Sequence, residues 1–216
     1  LFWAKFDKIE EMKEIEIKFK IEKPNLIRKK LKEARAKFIG KAFERTIKFD
    51  TKNDDLEKQE KFLRVRTGFE NVITFKKKIN KVDKNFKERE EIEVEISDPE
   101  KMKKILENLG FTKKWVMEKY REKWILGDAE VVIDKLPKMG NFIEIEGGKK
   151  AIQKTAKILG LDLKNGITAT YWGLWEDYRK KHGLKEKNII FKKEKILKKI
   201  NLPKEGIWYD RRNYLP

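Results

Sequence analysis

Cysteine is absent from the 216 residues, which excludes a disulfide framework, a thiolate metal site and a cysteine nucleophile. Histidine occurs once, at His182, beyond every strand-like segment, and serine once, at Ser97. Ser97 is followed by Asp98 and Pro99, the composition of a helix start rather than of a nucleophile. A Ser–His triad and a histidine-rich metal centre are thereby excluded as well. Long apolar runs are also missing. The apolar residues within 1–6 are too few for a membrane span or a signal segment, so the expectation is a soluble, cytoplasmic protein with no membrane partner. Whatever chemistry the chain performs must fall to carboxylates, lysines and arginines.

Charge is what the sequence has in abundance. Charged residues make up 43% of the chain, yet 39% hydrophobic content with six Trp and thirteen Phe argues for a folded protein. A net charge of +18 points to polyanionic partners such as nucleotides, polyphosphate or nucleic acid. Only ten of the 55 basic residues are arginine, so part of that charge is a lysine bias spread along the whole chain. Residues 185–216 carry ten basic and four acidic side chains and read as a basic extension, 184–216, appended to a main domain spanning 1–183.

Strict alternation of polar and apolar residues, the pattern of strands with two unlike faces, recurs in 14–21, 62–66, 71–78, 89–96, 118–125, 130–134 and 142–146. Residues 42–49 are a weaker strand. Eight strands are enough to close a barrel. Helices are expected from Pro24 to a stop at Gly40, from Pro99 to Gly110, over 149–159 before Gly160, and over 169–181. In the last, Tyr171, Trp172, Trp175 and Tyr178 form an aromatic stripe read as core packing. Glu-Ile-Glu recurs at 14–16 and 144–146, with Glu-Ile-Glu-Val at 91–94, each ahead of a helix. The repetition indicates two related halves contributing strands to one barrel.

The charged faces of these strands are sorted by sign. Glu14 with Glu16, Glu144 with Glu146, and Glu91, Glu93 and Glu95 are acidic rows; Arg64 with Arg66, Lys76 with Lys78, and Lys119, Arg121 and Lys123 are basic rows. Solvent-facing strands intermix signs, because like charges on neighbouring same-face positions repel. Four of the ten arginines, Arg64, Arg66, Arg89 and Arg121, fall on these faces, and arginine offers a planar fork for phosphate oxygens that lysine lacks. The expected arrangement turns the charged faces into a tunnel and the apolar ones (Ile15, Ile17, Leu63, Val65, Ile73, Phe75, Ile92, Val94, Ile143 and Ile145) outward beneath the helices. Carboxylates without His or Cys suit Mg²⁺ or Mn²⁺, and the basic rows suit a chain of phosphates.

The motifs Glu14-Ile15-Glu16-Ile17-Lys18, Phe49-Asp50-Thr51, Leu63-Arg64-Val65-Arg66, Thr74-Phe75-Lys76, Arg89 ahead of Glu91 and Glu93, Lys119 with Arg121, Asp134, and Met139-Gly140-Asn141-Phe142 leading to Glu144-Ile145-Glu146-Gly147 occur in the order of the CYTH, or triphosphate tunnel metalloenzyme, family. The resemblance spans 12 to about 180 and is nearest to the prokaryotic class IV adenylate cyclase-like branch. It implies an α+β fold, a closed eight-stranded antiparallel barrel with helices on its outside. It implies two divalent ions held by Glu14, Glu16, Glu144 and Glu146 with Asp134 and Glu93 assisting. Lys18, Arg64, Arg66, Lys76, Lys119 and Arg121 would bind a small-molecule triphosphate. Lys78, Arg89, Glu91 and Lys123 share the face, either as further site residues or as structural ion pairs. Of the reactions in the family, conversion of ATP to cyclic AMP and pyrophosphate is the first expectation, with a metal-bound hydroxide or a carboxylate such as Glu93 as the base. Hydrolysis of thiamine triphosphate or inorganic tripolyphosphate is the second. A non-catalytic binder of polyphosphate or RNA ends is the third, although the complete acidic set argues against it and nucleic acid is not an expected partner.

Overall fold

A computed structural model describes residues 12–79 and 86–192. Strand β1 (Met12–Ile21) leads into helix α1 (Pro24–Glu33) and then β2 (Lys37–Thr51). A single-turn helix α2 (Asp55–Lys58) precedes β3 (Lys61–Thr67), β4 (Val72–Lys78) and β5 (Lys87–Glu95). Helix α3 (Pro99–Asn108) is followed by β6 (Phe111–Leu126), β7 (Ala129–Leu136) and β8 (Gly140–Gly147). Helix α4 (Lys149–Leu159) and α5 (Tyr171–Lys181) complete the described chain.

The eight strands close into an antiparallel barrel in the order β1-β5-β4-β3-β2-β6-β7-β8. Each half is a strand, a helix and a three-stranded meander, and the first strand of each half pairs with the last strand of the other's meander: β1 with β8, and β5 with β4. The repeat read in the sequence is therefore a repeat of topology. It also makes the three Glu-Ile-Glu strands, β5, β1 and β8, neighbours in the ring.

Apolar side chains pointing outward are buried under the helices. Ile17, Ile143 and Ile145 pack with Ile27 and Leu31 of α1 and Ile152, Ala156 and Leu159 of α4. Leu63 and Val65 pack with Leu106 of α3. The cover is incomplete on β5, where Ile92 and Val94 are 40% and 56% exposed among the described residues. A third cluster, built from Trp115, Met117, Leu136, Phe142, Tyr171 and Trp175, packs α5 against one end of the barrel.

Three sequence readings are corrected here. Helix α1 stops at Glu33, not at Gly40, because Arg35 takes a left-handed conformation (φ 58°) and Ala36 donates back to the Leu31 carbonyl. Phe38 therefore belongs to β2, tilted against Trp124 with ring centroids 4.8 Å apart, and Gly40 lies at a register shift of that strand. Strand β6 is twice the expected length. Opposite Trp115 the β2–β6 register shifts between Lys48 and Phe49, and that irregularity interrupts the period-two pattern. At α3 the capping side chain is Asp98, which accepts from the Lys101 amide at 3.0 Å, not Ser97.

The extension beyond residue 183 begins against the barrel. Ile189 is fully buried, accepts from the Glu118 amide and donates to the Val116 carbonyl, adding a parallel bridge to β6. Phe191 packs on Tyr120 and Phe43. Ile196, Leu197, Ile200, Trp208 and Tyr209, read from the sequence as its further anchors, lie outside the described residues.

Candidate functional site

Alternation carries one face of every strand into the barrel, and the closed ring surrounds a cavity of about 740 Å³. Eleven acidic and eleven basic side chains line it, so the interior is nearly balanced in charge even though the chain carries +18. The signs are partly segregated around the ring. Strands β8, β1 and β5 form an arc rich in carboxylates, with Glu144, Glu146, Glu14, Glu16, Glu91 and Glu93, into which Lys18, Lys87 and Arg89 also project. The basic strands β4 and β3, with Lys76, Arg64 and Arg66, adjoin it on one side; on the other, β7 with Glu130 separates β8 from β6, which carries Lys119, Arg121 and Lys123.

Of the twelve side chains assigned to the site from the sequence, eleven line this one cavity. Glu16 lies directly opposite Glu146 across the β1–β8 ladder, and Lys18 opposite Glu144. Lys18, 1% exposed, bridges the two acidic strands, 3.3 Å from Glu16 and 3.2 Å from Glu144. Lys76 joins β4 to the arc through Glu14 and Glu91, each at 2.6 Å. Arg66 donates to Glu93 at 3.0 Å, and the Thr74 hydroxyl donates to the same carboxylate at 2.6 Å.

The twelfth, Asp134, is fully buried in the wall of the barrel and is not part of the cavity lining. It accepts from Lys119 at 3.0 Å, from Arg121 at 2.8 and 2.6 Å, and from the Tyr171 hydroxyl at 3.0 Å. With four donors on two oxygens it anchors the basic strand from beneath.

Several lining residues escaped the sequence reading. Lys87 contacts Glu16 from a point where β5 starts earlier than its alternation indicated. Glu44, Thr46 and Lys48 line the cavity from β2, whose inward face mixes signs and so lacked the sorting that marked the other strands. The signal that could have found them is parity, since 44, 46, 48 and 50 all share one face. Asp50, of the Phe49-Asp50-Thr51 motif, is fully buried and accepts from the amides of Thr51, Leu56 and Glu57, capping α2. The Asp50, Asp54 and Glu57 carboxylates cluster closely enough for a cation. Lys48 already bridges Asp50 and Glu57, and Lys114 pairs with Asp54 at 2.8 Å, so we assign that cluster to structure.

Electrostatics divides the carboxylates. Burial opposes ionisation of Glu16, yet Lys18, Lys87 and Lys76 hold its carboxyl well below the usual range. Burial likewise acts against Glu44, but Lys119 and Arg121 hold it down at about 2. Glu146, exposed at one end of the arc, makes no ion pair among the described residues. Burial in the barrel and its neighbours Glu14, Glu130 and Glu16 push it up to about 7. A carboxylate set that repels itself in this way fits a hard divalent ion, which would relieve the repulsion. Oxygen-only donors on adjacent strands are the chemistry Mg²⁺ or Mn²⁺ requires.

The low value for Glu44 has a measurable consequence. A carboxyl at about 4.5 when unfolded and about 2 when folded contributes stability above pH 4.5, and that contribution disappears as pH falls toward 2. The shift corresponds to about 3 kcal/mol. The wild-type advantage over Glu44→Gln in urea denaturation is expected to shrink across that window. An advantage that stays constant from pH 6 to 2.5 would contradict the assignment.

The CYTH domain model matches residues 12–171. A protein of Methanocaldococcus jannaschii named "Putative adenylate cyclase MJ0240" is 38% identical over 149 residues, 68% of this chain and 84% of its own length. Among solved structures, PH1012 from Pyrococcus horikoshii OT3 superposes with a TM-score of 0.62 at 30% identity, covering 73% of this chain and 96% of its own. The Hippeastrum protein HpAC1, described as having a dominant triphosphatase activity, superposes at 0.58 with 17% identity over 76% of this chain and 96% of its own. No helix among the described residues is long and apolar enough to cross a membrane.

Proposed function

The chain belongs to the CYTH domain family of triphosphate tunnel enzymes, and from that premise we propose that it is a divalent-metal-dependent enzyme converting a nucleoside triphosphate to a cyclic nucleotide and pyrophosphate. The observation that carries this reading is the gathering of six carboxylates on three neighbouring strands of one closed barrel, facing the same cavity as the arginine and lysine rows of β3, β4 and β6. The relative at 38% identity, named as a cyclase, supports the branch.

Glu14, Glu16, Glu144 and Glu146 would hold two ions of Mg²⁺ or Mn²⁺. When bound, these ions would supply Lewis-acid neutralisation of phosphate charge. Arg64, Arg66 and Lys76 on one flank, with Lys119, Arg121 and Lys18 on the other, bind phosphate oxygens and stabilise charge gathering on the leaving pyrophosphate. Asp134 acts through Lys119 and Arg121, keeping the ammonium and the guanidinium aimed inward. Glu93 is the proton acceptor for the attacking hydroxyl. Burial opposes its ionisation, but Arg66, Thr74 and Arg64 keep its carboxyl low while the cavity holds no substrate. Phosphates that draw Arg66 and Arg64 away would raise its basicity at the moment a base is needed.

Fold alone does not separate cyclisation from hydrolysis, because HpAC1 shares this architecture. The test is product separation after incubation with Mg²⁺ or Mn²⁺ and ATP, thiamine triphosphate or tripolyphosphate. Cyclic AMP with pyrophosphate is the expected outcome. Orthophosphate as the main product replaces the cyclase with a triphosphatase, and no turnover of any triphosphate overturns catalysis in favour of a binding protein.

A further inference from the structure

The inner faces of β3 and β6 change character along their length in the same direction. Reading inward-facing positions only, β3 presents Phe62, then Arg64 and Arg66. Strand β6 presents Trp115 and Met117, then Lys119, Arg121 and Lys123. Both strands run antiparallel to β2 between them, and Lys48 faces Arg64 on one side and Trp115 on the other, so the aromatic ends coincide. The Phe62 and Trp115 ring centroids are 5.9 Å apart.

Helix α5 adds a third ring. Trp172, in its first turn, stacks on Trp115 with centroids 4.6 Å apart and planes 3° from parallel. The aromatic stripe of α5 therefore divides. Trp175 is 1% exposed and donates to the Lys187 carbonyl, a core residue as the sequence indicated. Trp172 is only half-buried, lines the cavity, and its indole N–H has no acceptor among the described residues. A parallel stack with one flat ring in the wall of a cavity is a surface for another flat ring.

We propose that Phe62, Trp115 and Trp172 form the subsite for a planar heteroaromatic group carried by the triphosphate, so that the enzyme selects nucleoside triphosphates over inorganic tripolyphosphate. This rests on the reading above that Arg64, Lys119 and Arg121 hold the phosphates. Trp115 and Lys119 are four residues apart on one strand, about 13 Å. That span leaves room for a sugar between the first phosphate and the stacked ring.

The test compares ATP and tripolyphosphate as ligands of the full chain in Mg²⁺ by calorimetry, alongside kcat/KM for both. Trp172→Leu keeps an apolar filler against Trp115 while removing the stacking face, and Phe62→Leu is the second variant should the first fail to fold. Each is expected to weaken ATP about 10-fold and to leave tripolyphosphate within about twofold. Equal weakening of both ligands, or ATP binding unchanged in both variants, overturns the subsite while the phosphate reading stands. Failure of the wild type to bind either ligand overturns both.

Discussion

Replacing Glu16 by glutamine is expected to abolish metal-dependent turnover, a loss of about 10³-fold or more, while the protein stays folded. Glu16 lies at the middle of the acidic arc, opposite Glu146 on β8 and within one strand step of Glu14. Its carboxyl is held ionised by Lys18, Lys87 and Lys76 against the cost of burial, so it is ready to donate oxygen to a cation across the physiological range. The amide of glutamine can still accept from Lys87 and Lys18, and Lys18 keeps Glu144 at 3.2 Å as its charged partner. Stability is therefore expected to fall by only about 1–2 kcal/mol. Titration with Mn²⁺ in the absence of substrate separates the explanations, since loss of the ion-binding signal should accompany loss of activity. A variant that retains activity within tenfold would remove Glu16 from the metal set.

Asp134→Ala is expected to have the largest effect on folding rather than on chemistry. The side chain is fully buried, and its removal strands the Tyr171 hydroxyl and takes the shared acceptor from Lys119 and Arg121. Breaking a buried charged group of this kind costs about 3–5 kcal/mol, read as a drop in the urea midpoint. Glu44 and Glu144 still face Arg121, so part of the network survives. Asp134→Asn, which keeps the volume and one acceptor, should lose less stability and raise KM more than it lowers kcat. An unaltered denaturation midpoint for Asp134→Ala, with activity lost, would instead make Asp134 a direct participant in the site.

Where alternation was strict and each face had one sign, the site was legible from the sequence, as with Glu14 and Glu16, Arg64 and Arg66, Lys119 and Arg121, and Glu144 and Glu146. Period two alone puts such residues on one face. Legibility failed where that pattern was blurred. Glu44 and Lys48 share a face but differ in sign, and the register shift beside Lys48, where β6 carries an extra residue, breaks the rhythm of β6. Lys87 precedes the alternating part of its strand. Asp134 belongs to the right parity, yet whether a side chain of that parity lines the cavity or lies in its wall depends on what packs against it. Tyr171 arrives from a helix 37 residues away to occupy its second oxygen. Trp172 and Trp175 are three residues apart on one helix, and only the barrel beneath distinguishes a cavity wall from a core.

The sequence by itself determined which side chains travel together: the absence of Cys and the near absence of His left oxygen and nitrogen charge as the only chemistry, and the strand period grouped it by sign. The tertiary structure decided which group faces which. β1 lies between β5 and β8, partners more than 70 and 120 residues away in sequence. Those pairings follow from burying outward apolar faces beneath α1, α3 and α4, an energy summed over distant segments that no local spacing encodes. Closure of the ring converted three carboxylate-rich strands into one arc, turned the basic rows of β4, β3 and β6 toward the same cavity, and placed Trp172 of α5 at its aromatic end.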